Sequence, residues 1–263
     1  MTDQPPTTPG LPAFAALTAR ELIRFTRQPS RVAAAIGTPL ILGLFFGSGF
    51  AQSFSGERSG PSYTAFLLPG MISLTVMFSS IFAAISLIED RSAGFLQSVL
   101  VSPAPRWAGV SAKIAGGTLV AAAQGALLLL LAPILGLHPG PVGYLLALAA
   151  IALISIGING LGLAAAWRIE SSQGFHGVMN IVLMPMWLLS GAIFPIAGAA
   201  GWLRAIMTVN PLYWPTAALR DALAGGAHPE PFAAWMLWAF ATLAALAGFV
   251  LAWLSMGRAR RSS

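Results

Sequence analysis

Six long intervals of this chain contain no Asp, Glu, Lys or Arg: Val32 to Phe54, Tyr63 to Ile88, Ile114 to Leu135, Val142 to Trp167, Gly177 to Ile196 and Phe232 to Ser255. About 20 mostly apolar residues in a helix cross a hydrocarbon core of about 30 Å, so each interval reads as a transmembrane helix. The runs are continuously apolar rather than alternating, which selects helices over a barrel as the way to satisfy the backbone in lipid. With 57% hydrophobic and 8% charged residues among 263, against about a quarter charged in soluble domains, too few charges exist to cover a water-facing surface. The expected class is an all-α integral membrane protein of six spans. Residues 1–12 are expected to form a disordered tail, 13–257 one transmembrane domain and 258–263 a basic tail. The start MTDQPPTTPG lacks the basic and apolar regions of a cleavable signal peptide, so the first span is expected to stay as an anchor.

Positive residues are retained on the cytoplasmic side of a membrane protein. Placing both termini there puts Arg20, Arg24, Arg27, Arg31, Arg91, Arg106, Lys113, Arg168, Arg258, Arg260 and Arg261 inside, and Arg58, Arg204 and Arg220 outside. The expected location is the plasma or inner membrane, with cytoplasmic ends. A net charge of +6 then describes a membrane-facing rim, whereas nucleic-acid binding wants a basic patch on a soluble fold. The chain has no cysteine, which removes disulfides and thiolate metal sites.

Before the first span, Arg20, Arg24, Arg27 and Arg31 recur at spacings of 4, 3 and 4, with Phe14, Leu17 and Phe25 as apolar contacts. That pattern predicts an interfacial helix whose arginines meet inner-leaflet headgroups; the plainer reading is an ordinary positive flank of the span. Gly43 and Gly47, and Gly157, Gly160 and Gly162, are small residues that let helices approach closely in lipid. Gln124, Asn159 and Asn180 are expected to make interhelical hydrogen bonds. No ionisable residue lies deep in a predicted span, which argues against a proton-driven transporter.

Between spans two and three stands IEDRSAGFLQSVLVSPAPRW, residues 88 to 107. Phe95, Leu96, Val99 and Leu100 make one stripe of a short helix, ended by Pro103 and Pro105. A helix of about two to three turns is marginal alone, so the stripe rests either on the membrane and the protein's own helices or in a partner's groove.

The run Glu89-Asp90-Arg91, Gly94-Phe95-Leu96, Val99-Leu100-Val101-Ser102-Pro103 and Arg106 resembles the cytoplasmic loop of type-2 ATP-binding cassette (ABC) exporter permeases. So does a second block: Ser190-Gly191, Phe194-Pro195, Trp202-Leu203, Asn210-Pro211-Leu212 and Ala218-Leu219-Arg220. Phe95, Gln97 and the Ala199-Ala200-Gly201 run depart from the family pattern in ways that bear on the subfamily. The resemblance implies a permease that pairs with a second copy and is driven by a separate ATPase subunit, which would hold the ATP and magnesium. This chain has one lysine, Lys113 in SAKIA, and no phosphate-binding Gly-Lys-Ser/Thr, so no cofactor site is expected in it. On this reading Phe95, Leu96, Val99 and Leu100, beside Gly94, dock into the ATPase, with Glu89, Asp90 and Arg91 as rim contacts. Short helices after the fifth span, carrying Phe194, Pro195, Trp202, Leu203, Asn210, Pro211, Tyr213 and Trp214, would gate or cap the outer face. Pro185 and Pro195 would kink the chain around that span.

The cargo implied by a charge-free lining of Leu, Phe, Met, Trp and Ala is hydrophobic or amphipathic: a drug, natural product or lipid. A glycan is the alternative within the family. A membrane-embedded transferase or phosphatase would need convergent acids, His or Arg, and a non-transporting accessory subunit is the remaining class. His138, His176 and His228 fall in different loops, and Asp221 with His228 makes a triad with a serine only by accident of folding.

Overall fold

The computed structural model describes residues 10–50, 63–94, 106–225 and 228–258. The main helices are α1 (Gly10–Thr26), α2 (Pro29–Phe50), α3 (Tyr63–Ser92), α4 (Arg106–Leu129), α5 (Gly140–Ala166), α6 (Ser172–Trp187), α7 (Gly201–Val209), α8 (Tyr213–Leu223) and α9 (Ala234–Arg258). There is no strand among the described residues. Six helices are long and apolar enough to span a bilayer: α2, α3, α4, α5, α6 with the turn that follows it, and α9. The chain is therefore an all-α multi-pass membrane protein.

Helix α3 is the central post. Most of its length is buried, and α2, α4, α5, α6 and α8 all pack on it. α2 leans on α3 and leaves Ile41, Leu44 and Phe45 exposed, as suits a lipid-facing surface where apolar side chains carry no hydration penalty. α5 and α9 form the tightest pair. A Cβ on Gly160 would overlap the backbone carbonyl of Gly248, and one on Gly248 would overlap Gly157. Here nothing flexible can give way, and the small residues let the two backbones touch. Gly160→Val is expected to separate α5 from α9 and cost about 1–3 kcal/mol, read as a lower unfolding midpoint in detergent; an unchanged midpoint would contradict this contact. Gly43 and Gly47 instead face side chains of α3, the flexible end of Met71 and Thr64.

Three expectations need correction. The tail expected to run to residue 12 is already helical from Gly10, because Pro12 sits in the first turn, where its missing N–H costs nothing. The third span begins at Arg106 and ends at Leu129, about two turns earlier than the charge-free interval. Lys113 enters the helix because carboxylates neutralise it there, and turns around Pro133 replace the far end. The polar residues also behave differently. Asn159 donates to the Ser155 carbonyl of its own helix at 2.9 Å, and both side-chain polar atoms of Gln124 are buried without a partner. Asn180 is exposed.

After Trp187 the chain widens into a π-helical turn, Leu188–Ala192, where Gly191 takes φ 78°. A side chain is strained in that left-handed conformation and glycine is not. Pro185 lies one turn earlier, inside α6. The turn packs against α3: Trp187 Nε1 donates to the Gly70 carbonyl at 2.9 Å, and the Tyr63 hydroxyl to the Ile193 carbonyl at 3.0 Å.

Candidate functional site

Charged side chains gather at the two ends of the bundle. At the first end, α1 lies across α4, with Phe14 stacked on Trp107. Its polar stripe turns inward. Asp90, near the end of α3 and only 4% exposed, receives Arg20 Nη2 on Oδ1 at 2.9 Å, Arg24 Nη1 on Oδ1 at 2.6 Å and Lys113 Nζ on Oδ2 at 2.7 Å. Glu21 holds the other side of Lys113 at 2.8 Å. Glu89 takes Arg24 at 2.6 Å and Arg31 at 2.5 Å. The Asp90 hydrogen bond is the largest influence on Arg20 and raises its pKa, so that guanidinium keeps its charge.

Removing a carboxylate from water is costly unless opposite charges and hydrogen bonds replace the hydration. This cluster does so with cations drawn from α1, the start of α2, and α4, thereby joining three segments to the end of α3. Arg91 adds a fourth: its guanidinium donates to the Trp167 carbonyl at 2.9 Å and to the Ile169 carbonyl, satisfying carbonyls just past the C-terminus of α5.

The placement of the predicted residues changes accordingly. Arg20, Arg24 and Arg31 pair with the acids of α3, while Arg27 is exposed. α1 turns Leu11 and Ile23 outward. The physical reason is that a buried acid offers an arginine more than a solvated headgroup does. For the same reason Asp90 and Arg91 are internal ties here rather than rim contacts for a partner; Glu89 is half-buried among arginines, and Gly94 lies in the turn just beyond α3. Phe95, Leu96, Val99 and Leu100 lie outside the described residues.

At the opposite end, α8 is buried along nearly its whole length, against α5, α9 and α3. Its Arg220, 7% exposed, donates to Glu230 Oε1 at 2.6 Å and to the Gly191 carbonyl at 2.5 Å, and stands 4.5 Å over the Phe66 ring. Tyr213 donates to the other Glu230 oxygen at 2.8 Å. The left-handed turn at Gly191 exposes the carbonyl that Arg220 uses. Ser73 of α3 and Thr216 of α8 share a hydrogen bond at 2.9 Å.

The outer-face residues predicted together are thus divided. Tyr213 and Trp214 are buried. Asn210 is buried too, its Nδ2 donating to the Met186 carbonyl at 2.6 Å while its Oδ1 accepts from Leu212 N–H at 3.0 Å. Phe194 and Leu203 are half-buried; Pro195, Trp202 and Pro211 are exposed. His228 does meet Asp221 at 2.8 Å, but its side chain is 64% exposed, and no serine hydroxyl bonds to the pair among the described residues.

Sequence reasoning missed Glu21, Lys113, Glu230, Trp187 and Tyr63. One signal was available for the first two: Glu21 interrupts an arginine stripe, and the chain's single lysine borders a charge-free interval.

Six apolar helices, a charged knot at one end and a short buried helix at the other describe a polytopic membrane protein. The profile of the ABC-2 type transporter family matches residues 12–224, and the chain belongs to that family. It is 25% identical over 207 residues to a putative transport permease of Cyanophora paradoxa, covering 78% of this chain and 71% of the relative. It is 30% identical over 174 residues to nodulation protein J of Rhizobium leguminosarum bv. trifolii, covering 61% and 62%. A probable multidrug ABC transporter permease of Escherichia coli is 27% identical over 154 residues, 57% of this chain and 41% of that protein. The protein is a transport permease.

Proposed function

We propose that the chain is the permease subunit of an ABC exporter in the plasma or inner membrane. ATP is hydrolysed on a separate subunit, and a hydrophobic or amphipathic molecule leaves the cytoplasm or inner leaflet through a pair of permease copies. The α1 end then faces the cytoplasm with both chain ends, a placement the arginine distribution supports. The probable multidrug permease among the relatives supports apolar cargo.

One observation carries the mechanism. The Lys113–Asp90 pair at 2.7 Å ties the start of α4 to the end of α3, and these two helices bracket the segment that holds Phe95, Leu96, Val99 and Leu100. α1 is fastened to the same knot. A push on that segment by closing ATPases then moves α1, α3 and α4 as one lever instead of bending a loop. At the far end, α3 holds α8 through Ser73 and Thr216, so the same post reaches the outer cap.

Leu96→Asp places a carboxylate where an apolar groove would receive the side chain. Binding of the ATPase is expected to weaken about 100-fold, with ATP-dependent export from vesicles lost and membrane insertion intact. The measurement is mild-detergent co-purification of the partner ATPase, quantified by mass spectrometry, beside vesicle export. Wild-type recruitment and export in the variant would remove the docking role from this segment.

A further inference from the structure

The charged knot borders a shallow cleft, open on one side and enclosing about 20 Å³, lined by residues of α1, the start of α2, α3 and α4. Its walls include Phe25, Phe82 and Val120, and its rim carries Arg24 and Arg31. Glycines 116 and 117 also line it; a Cβ on Gly116 would overlap Glu21. Arg24 is engaged by Glu89, Asp90 and the Ser86 carbonyl. Arg31 is not used up: among the described residues its guanidinium meets one carboxylate oxygen, of Glu89, and stands 5.9 Å from the Phe82 ring centroid. Gln28, also on the lining, brings a side-chain amide to the same rim.

The local charge favours an anion. Arg20, Arg24, Arg31 and Lys113 face the three carboxylates Glu21, Glu89 and Asp90, an excess of one positive charge, and the exposed Arg27 lies close by in the chain. Glu21 also lines the cleft but is committed to Lys113 and Arg20. The aromatic and aliphatic wall has no use for a fully hydrated ion. It suits the first segment of an acyl chain, and the cleft lies beside the charged knot, at the end of the bundle where α1 packs on α4.

We infer that this cleft binds an acidic phospholipid of the adjoining leaflet, its phosphate at Arg31 and Gln28 and its acyl chain along Phe25, Phe82 and Val120. Basic recesses between transmembrane helices bind phospholipid headgroups by this chemistry. The lipid would brace α1 against α3 and α4 beside the ion pairs. The inference goes beyond the proposed export function and stands whether or not that function does.

The test is native mass spectrometry of the intact protein in mild detergent, titrated with phosphatidylglycerol, with phosphatidylcholine, or with phosphatidylglycerol plus excess inorganic phosphate. Wild type is expected to retain phosphatidylglycerol at collision energies that strip phosphatidylcholine, and inorganic phosphate is expected not to displace it. Arg31→Gln should weaken phosphatidylglycerol about fivefold, the share of one cation near a headgroup. Val120→Phe, which fills the cleft and touches no ion pair, should abolish the selective adduct while leaving the melting curve in place. Equal retention of the two lipids, or unchanged phosphatidylglycerol binding in Val120→Phe, would overturn the inference. Displacement by inorganic phosphate would give the site to a soluble anion and overturn it as a lipid site.

Discussion

Asp90→Ala is expected to lower stability by about 3–5 kcal/mol and to release α1 from the bundle. The substitution takes the carboxylate from Arg20, Arg24 and Lys113 at once; Arg24 keeps Glu89 at 2.6 Å, while Arg20 and Lys113 keep Glu21 of α1. Breaking one side of a buried ion pair is costly chiefly because the other side stays behind uncompensated. Two readouts separate this from general damage. The unfolding midpoint in detergent should fall, and limited trypsin digestion should cut early after Arg20 and Arg24, which the fold protects in the wild type. The double change Asp90→Leu with Lys113→Met removes a pair together and should lie closer to wild type than the sum of the single changes. A melting curve within about 0.5 kcal/mol of wild type for Asp90→Ala, the range typical of surface changes, would show that the knot contributes nothing to the fold.

Arg220→Leu should be comparably damaging at the other end. Glu230, its side chain 5% exposed, would keep one partner, the Tyr213 hydroxyl, and the Gly191 carbonyl would lose its donor. The expected loss is again about 3–5 kcal/mol, with α8 loosened from the turn after α6. Arg220→Lys should recover little of it. A single ammonium cannot reach the carboxylate, the carbonyl and the Phe66 face at once, whereas the planar guanidinium does. Unfolding in detergent for the three proteins, together with protease sensitivity between residues 200 and 230, decides the matter. A lysine variant as stable as wild type would mean that charge alone, not the fork geometry, holds α8.

The two clusters also explain how a chain without charges deep in its spans keeps its helices in register. Apolar packing in lipid is weakly directional, since lipid tails are as apolar as the helices. At the α1 end the acids of α3 accept from α1, the start of α2, and α4, while Arg91 fixes the end of α5. At the other end Arg220 joins α8 to the turn after α6. The α5–α9 glycines supply a further fixed contact, between backbones rather than charges.

Much of the candidate site was legible as composition and not as geometry. The arginine stripe at residues 20 to 31 is visible as a spacing, and it does lie on a helix and the start of the next. Its ion pairs with α3 were not legible, because an amphipathic pattern says which residues share a face and not what that face meets. Asp90 carried the opposite error. Beside Arg91 and before a glycine it looks like a loop residue, and the helix runs past it to Ser92. A short helix after the fifth span was expected and α8 is one, but its burial was not legible, because YWPTAALRDAL has too many polar residues to read as a buried segment. The polar ones are satisfied across the bundle, by Ser73 and Glu230.

By itself the sequence determined the number of spans, their helical form and the family, since each depends on residues close together in the chain: some twenty apolar side chains for a span, a short motif for a loop. The tertiary structure alone decided which charges meet. Arg20 and Asp90 are 70 residues apart, and Lys113 and Glu21 are 92. No spacing encodes such a pair, because the energy that selects it exists only once burial has removed water from both partners.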